Sequence, residues 1–172
     1  MRPDQIAGKD IQGNAEILVT DKLRWRPGVY ALVIRDDQIL VLDNLLTKQY
    51  DLPGGGIDIW EPIETALQRE LMEECHITAD IDDMIYMDEQ FFLTPSGNHW
   101  HTLRFYYRAT MTGGTLQSTT IEEEFSVNPH WVAIRSLTAD NIAVDWGAVQ
   151  HFQQTIRELV YRAREVGYAV IK

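Results

Sequence analysis

The sequence is poor in cysteine, in positive charge and in long apolar runs, and each shortage excludes a class of protein. Cys75 stands alone, so an internal disulfide framework is impossible and a zinc site cannot be built on thiolates. A reducing compartment, by default the cytoplasm, is the expectation. Lys and Arg number 15 against 26 Asp and Glu, a formal net charge of −11. Such a chain has no basic field to draw a nucleic-acid backbone to its surface, and nucleic acid is excluded as the expected partner. A phosphorylated small molecule would need a local cation to offset two like charges. The first twenty residues carry Asp4, Lys9, Asp10 and Glu16 in place of a secretory apolar run. No stretch approaches the roughly eighteen apolar residues of a membrane span, so no membrane partner is expected.

What is there is ample apolar material. Of 172 residues 45% are hydrophobic and 10% aromatic, enough for one domain over residues 1–172 with its own core and too much for intrinsic disorder. Ala15 to Thr20, Val29 to Ile34 and Ile39 to Leu42 read as strands, the last two joined across the polar turn Arg35-Asp36-Asp37-Gln38. Asp51-Leu52-Pro53-Gly54-Gly55-Gly56 interrupts regular structure, and residues 61–75 then have helical composition, with Pro62 suited to a first turn. Met84 to Leu93 and Trp100 to Thr110 flank a hairpin loop, Thr94 to Asn98. His130 to Ile134 closes the strands, and Asp145 to Val166 reads as an amphipathic helix. Strand runs with few crossover helices predict an α+β domain with a mixed sheet.

The helix after the glycine loop carries the chemistry. At about 100° per residue, Ile63, Ala66, Leu67, Leu71 and Ile77 form one apolar sector; Glu70 and Glu74 fall within about 20° of its centre and Glu73 about 80° from it. Glu64, Thr65, Gln68, Arg69 and Met72 take the solvated side. Glu70 neighbours Glu73 and Glu74 at helical spacing, a repulsion of about 0.2 to 0.5 kcal/mol per pair, and all three crowd the helix's negative end. A charge run is usually a solvated face, but carboxylates in phase with an apolar stripe require a cation. An oxygen-only set suits Mg²⁺ or Mn²⁺, ions commonly shared with substrate phosphates, and glycines let backbone approach such a ligand closely.

These residues, Gly55, Glu61, Arg69-Glu70-Leu71, Met72, Glu73-Glu74, Cys75, His76 and Ile77, resemble the signature box of the Nudix hydrolases at each position except the last glycine, which is His76 here. The resemblance extends weakly over residues 28–140, through Leu52-Pro53 before the box and an acidic segment with Trp131 after it. It implies an α/β/α sandwich around a mixed β-sheet and metal-dependent cleavage of a nucleoside diphosphate linked to another moiety. On that reading the Gly55 carbonyl, Glu70, Glu73 and Glu74 hold Mg²⁺ or Mn²⁺, and Arg69 pairs with Glu61 to orient the site. Glu73 or a loop glutamate, with Glu124 preferred over Glu122 and Glu123, is the general base. His76 must take a left-handed backbone that glycine would relieve. Catalysis is expected to survive this.

Other side chains admit two readings each. Trp60 either stacks on a substrate base or packs over its loop. Arg104 and Arg108 either bind phosphate or form ion pairs. His99 and His101 share a strand face with Leu103, Phe105 and Tyr107 and are expected to be structural, with no third ligand to make a metal pair. Cys75 is expected to be a packing residue. In the last helix Phe152, Ile156, Leu159, Val160 and Ala163 form a stripe that packs on the sheet or joins a homodimer. A non-catalytic Nudix-fold binding or regulatory module is the alternative function, and a diphosphate isomerase a more distant one. The residues around the box leave nucleotide sugars, dinucleoside polyphosphates and nucleoside triphosphates all open as substrates.

Overall fold

A computed structural model describes residues 1–120, 125–142 and 145–165, with side chains of the last helix described through residue 158. Among these residues the chain builds ten strands and two α-helices. In chain order they are β1 (Gln5–Asp10), β2 (Ala15–Val19), β3 (Leu23–Trp25), β4 (Gly28–Arg35), β5 (Gln38–Asn44), β6 (Tyr50–Asp51) and β7 (Gly54–Gly56). Then come α1 (Ile63–Cys75), β8 (Ile77–Leu93), β9 (His99–Gly114), β10 (Ser126–Ala133) and α2 (Trp146–Glu165). The main path across the sheet is β10-β5-β4-β9-β8-β1-β2, with β3 on β9, β6 on β5 and β7 on β4.

The sheet is mixed because β4 runs parallel to β9 while β8 and β9 form one long antiparallel hairpin. Its two faces follow from strand alternation. On β4 and β5, Val29, Ala31, Val33, Leu40 and Leu42 point to one side and meet Ala66, Leu67, Leu71 and Cys75 of α1. Leu32, Ile39 and Val41 point to the other side and meet Ala148 and Val149 of α2, with Ile134 and Leu137. Helices on both faces make the α/β/α sandwich that the box implies.

The β4–β5 hairpin turns at Asp36, whose φ of 57° suits a short polar side chain. Pro62 stands at the N-cap of α1 rather than inside its first turn, and β8 begins directly after the helix, seven residues before the strand expected from Met84. β1, β3, β6 and β7 have no counterpart among the expected elements; β7 and the end of β6 lie in the stretch Asp51 to Gly56, expected to interrupt regular structure, and form by pairing with β4 and β5. Phe152 and Ile156 pack against the second core as expected. The rest of the α2 stripe, Leu159, Val160 and Ala163, lies outside the described side chains.

Candidate active site

The glycine loop and α1 meet because Gly54 to Gly56 is a short strand hydrogen-bonded to the start of β4. A Cβ on Gly55 would sit 2.6 Å from the Glu70 carboxylate, and one on Gly54, at φ 141°, would strike the Val29 carbonyl at 2.2 Å. Position 54 therefore demands glycine, whereas a side chain at Gly55 would have to displace the Glu70 carboxylate. The Gly54 N–H donates to Glu74 Oε2 at 2.8 Å, so a residue that is 5% exposed and charged receives a backbone donor inside the core-facing sector of the helix. Glu70 has a side chain 12% exposed, whereas Glu73 is 42% exposed. The helical phase thus places Glu70 and Glu74 inward and leaves Glu73 at the rim.

Arg69 organises the cluster. Its Nε and Nη2 donate to the two oxygens of Glu61 at 3.0 and 2.9 Å, a two-pronged pair, and Nη2 also reaches the Gly56 carbonyl at 3.0 Å. Nη1 contacts Glu70 at 2.8 Å and Glu73 at 3.2 Å. The hydrogen bond to Arg69 holds the Glu61 carboxyl below the ordinary range. Among the described residues no three His, Cys, Asp or Glu side chains converge as a ready metal cage. The donors nevertheless fit a hard divalent ion: they are all oxygens, two of them are carboxylates held at the edge of a cavity, and one glycine is packed flat against a carboxylate. Arg69 is the cation that Glu70 and Glu73 face in this arrangement.

His76 has φ 57° and ψ 40°, the left-handed cap expected where the box has glycine, and its Nδ1 is buried without a hydrogen-bond partner. Glu122, Glu123 and Glu124, the loop candidates for general base, lie outside the described residues. Trp60 is 80% exposed and so does not pack over its loop. Arg104 is not at the surface, as an ordinary ion pair would be: it is 4% exposed, donates through Nε to Asp88 at 2.8 Å and lies 3.4 Å from Asp145. Arg108 does make the surface pair, with Asp82 at 3.2 Å. His99 Nδ1 accepts from the Val19 N–H at 3.1 Å. His101 stacks on Phe91 at 4.3 Å and meets Glu89 at 2.6 Å; both histidines are structural. Cys75 is fully buried, and that burial pushes its thiol up.

The carboxylate end of α1 opens on a cavity of about 260 Å³ whose far wall was not visible in the sequence reading: Asp51, Asn44, Ser126 and Asp145 face Glu70 and Glu74 across it. Asp51 accepts from Asn44 at 2.7 Å and Ser126 at 2.6 Å, yet burial raises its carboxyl to about 6. Asp145 is 2% exposed and accepts from the Leu52 N–H at 3.0 Å and the Tyr106 hydroxyl at 2.8 Å; burial raises its carboxyl also. The sequence pattern counts Asp145 as the first residue of the last helix, whereas it stands one residue before α2 with its side chain buried.

A glycine turn packed against a helix that turns Glu70 and Glu74 inward, with a forked arginine, on a mixed-sheet sandwich, is the arrangement of a Nudix domain. The NUDIX domain family matches residues 24–152, and the chain belongs to it. Among its relatives, the 8-oxo-dGDP phosphatase NUDT18 of Danio rerio is 35% identical over 98 residues, 55% of this chain and 28% of that protein. The chain spans less than a third of the length of the curated relatives it matches, 28% and 30%. A Nudix hydrolase from Nitrosomonas europaea superposes with a TM-score of 0.62 at 16% identity, covering 77% of this chain and 90% of that one. The Escherichia coli ORF135 protein does so at 0.59 and 20%, covering 78% and 92%. These two likenesses show the fold.

Proposed function

We propose that this chain is a metal-dependent pyrophosphohydrolase that cleaves a nucleoside diphosphate linked to another moiety by attack of water on phosphorus. The observation that carries the reading is Glu74, a charged carboxylate 5% exposed and tied to the glycine turn at 2.8 Å. A structural helix has no reason to keep such a charge in its apolar sector.

Gly55, Glu70, Glu73 and Glu74 would hold Mg²⁺ or Mn²⁺, which supplies Lewis-acid polarisation of phosphoryl oxygens and activation of water. The chain's own residues position the rest. Arg69, fixed by Glu61 and by the Gly56 carbonyl, sets the orientation of Glu70 and Glu73. The glycine turn lets a phosphate approach the backbone. Glu73, exposed at the rim and free of the apolar sector, is the described residue suited to take a proton from water, with Glu124 the loop alternative. The domain reading, one Nudix domain over residues 1–172 acting in the cytoplasm, belongs to the same proposal. The test is incubation with nucleotide sugars, dinucleoside polyphosphates and nucleoside triphosphates plus Mg²⁺, with products resolved by chromatography. Release of a nucleoside monophosphate from one class supports the reading. Saturable binding without turnover of any class would assign the chain to the non-catalytic alternative.

A further inference from the structure

The glycine turn is held at three consecutive residues by three different elements. The Gly54 N–H donates to Glu74 of α1 at 2.8 Å, the Pro53 carbonyl accepts from the Ala31 N–H of β4 at 2.9 Å, and the Leu52 N–H donates to Asp145 Oδ2 at 3.0 Å. The third anchor stands apart from the other two. Asp145 immediately precedes α2, the helix that packs on the face of the sheet opposite α1, and it lies outside the signature box.

The backbone carbonyl of Asp145 accepts from the Ala148 and Val149 N–H groups at 3.1 and 3.2 Å, as that of a residue opening a helix does. The carboxylate leaves the helix. Oδ2 serves Leu52, while Oδ1 takes the Tyr106 hydroxyl at 2.8 Å and lies 3.4 Å from Arg104 Nη1; Arg104 is in turn held by Asp88 at 2.8 Å through Nε. A surface cap would open α2 without burying a carboxylate to 2% exposure, a placement that costs free energy unless its oxygens are satisfied. What the buried position adds is a grip on Leu52, itself 1% exposed and next but one to Gly54.

We infer that Asp145 is a positioning residue, which from across the sheet and through the Leu52 N–H fixes the glycine turn so that Gly54 and Gly55 stay against Glu74 and Glu70. This rests on the hydrolase reading and adds to it a residue that works through the backbone, 93 positions along the chain from its partner. Contacts that only support the groups around a metal are worth about 10- to 100-fold in affinity or rate.

Two variants remove the contact from opposite ends. Asp145→Ala takes away the acceptor, and replacement of Leu52 by its α-hydroxy acid turns the donating N–H into an ester oxygen while every side chain stays. Val149→Ala, in the core that α2 shares with Leu52 and Tyr106, is the control for lost stability alone. Exchange of the Gly54 amide and calorimetric titration with Mn²⁺ read the turn and the carboxylates without turnover, and steady-state hydrolysis with Mg²⁺ reads the rate. In Asp145→Ala and in the ester, Gly54 should exchange about tenfold or more faster, Mn²⁺ should bind about tenfold more weakly, and kcat should fall about tenfold or more with KM within about threefold. Val149→Ala should melt lower and match wild type in all three. Wild-type Gly54 exchange, wild-type Mn²⁺ affinity or a change in KM alone in the ester overturns the inference, whether or not Asp145→Ala folds. An equal response in Val149→Ala also overturns it, since Asp145 would then be one more core contact. Wild-type protein that binds no Mn²⁺ or hydrolyses no nucleotide refutes the hydrolase reading by itself, and the Gly54 amide then decides the anchor alone.

Discussion

Single residues in this molecule show the cost of keeping polar groups where the core would have none. Asp51 carries the clearest pH signature. Burial raises its carboxyl from 3.8 to about 6, so the folded chain holds a proton that the unfolded chain has already released between those values. Stability therefore falls as pH rises through that window and the loss is complete above about pH 6. Asp51→Asn, which keeps an acceptor for Asn44 and Ser126, should gain on wild type by on the order of 2 to 3 kcal/mol between pH 4 and pH 7 at about 1.4 kcal/mol per pH unit. Denaturant melts of both proteins at the two pH values measure it, and a constant gap would refute the assignment. His76 makes a second case. Its left-handed backbone and orphaned Nδ1 both vanish in His76→Gly. That variant should gain about 1 kcal/mol, seen as a melting point about 2 to 4 °C higher; a lower one would mean that ring packing outweighs the strain.

At the scale of elements, the helix and the hairpins are legible in the sequence because burial on one side leaves a period. Glu70 and Glu74 are found by that period, since a helix that buries Leu67 and Leu71 must bury whatever shares their sector. Glu73, about 80° from the sector's centre, is only partly covered by the same rule, and the structure puts it at the rim. β1 is hidden because its alternation is between exposed and half-covered positions, with Gly8 in the middle. β3 has three residues and exists through its pairing with β9. Asp51 and Asp145 come to the site from parts of the chain far apart in sequence, which only the fold brings together. Arg69 is the hinge of the α1 network, and Arg69→Lys should test its fork. Lysine keeps the charge but cannot bridge both Glu61 oxygens, so the rate should fall about tenfold or more while KM moves little. A change in KM alone would place Arg69 in substrate binding instead.

For the whole molecule, the governing quantity is negative charge gathered at one place. Glu70, Glu73 and Glu74 repel one another and Arg69 offsets only part of this, so a divalent ion that binds the folded chain should stabilise it. At about 100 times its dissociation constant the gain is about 2.7 kcal/mol, or roughly 5 to 10 °C in a chain of this size. Thermal melts with millimolar Mg²⁺, Mn²⁺ or chelator measure it. Curves that coincide in all three would contradict the metal reading. Among the described residues no helix is long and apolar enough to cross a membrane, and the apolar surface of α2 through Ile156 is spent on the second core.

The central claim is that the inward carboxylates of α1 perform catalysis, and one comparison of variants tests it most directly. Glu74→Gln keeps the shape of the side chain and an acceptor for the Gly54 N–H, and removes charge where charge is the working element. Glu64 lies on the exposed face of the same helix and serves as the control. Steady-state hydrolysis of the best substrate with Mg²⁺ should fall by about two to four orders of magnitude in Glu74→Gln, roughly 3 to 5 kcal/mol of transition-state stabilisation. The melting point should be equal or higher, and Glu64→Gln should stay within about twofold of wild type. Equal, small effects at Glu64 and Glu74 would contradict the account.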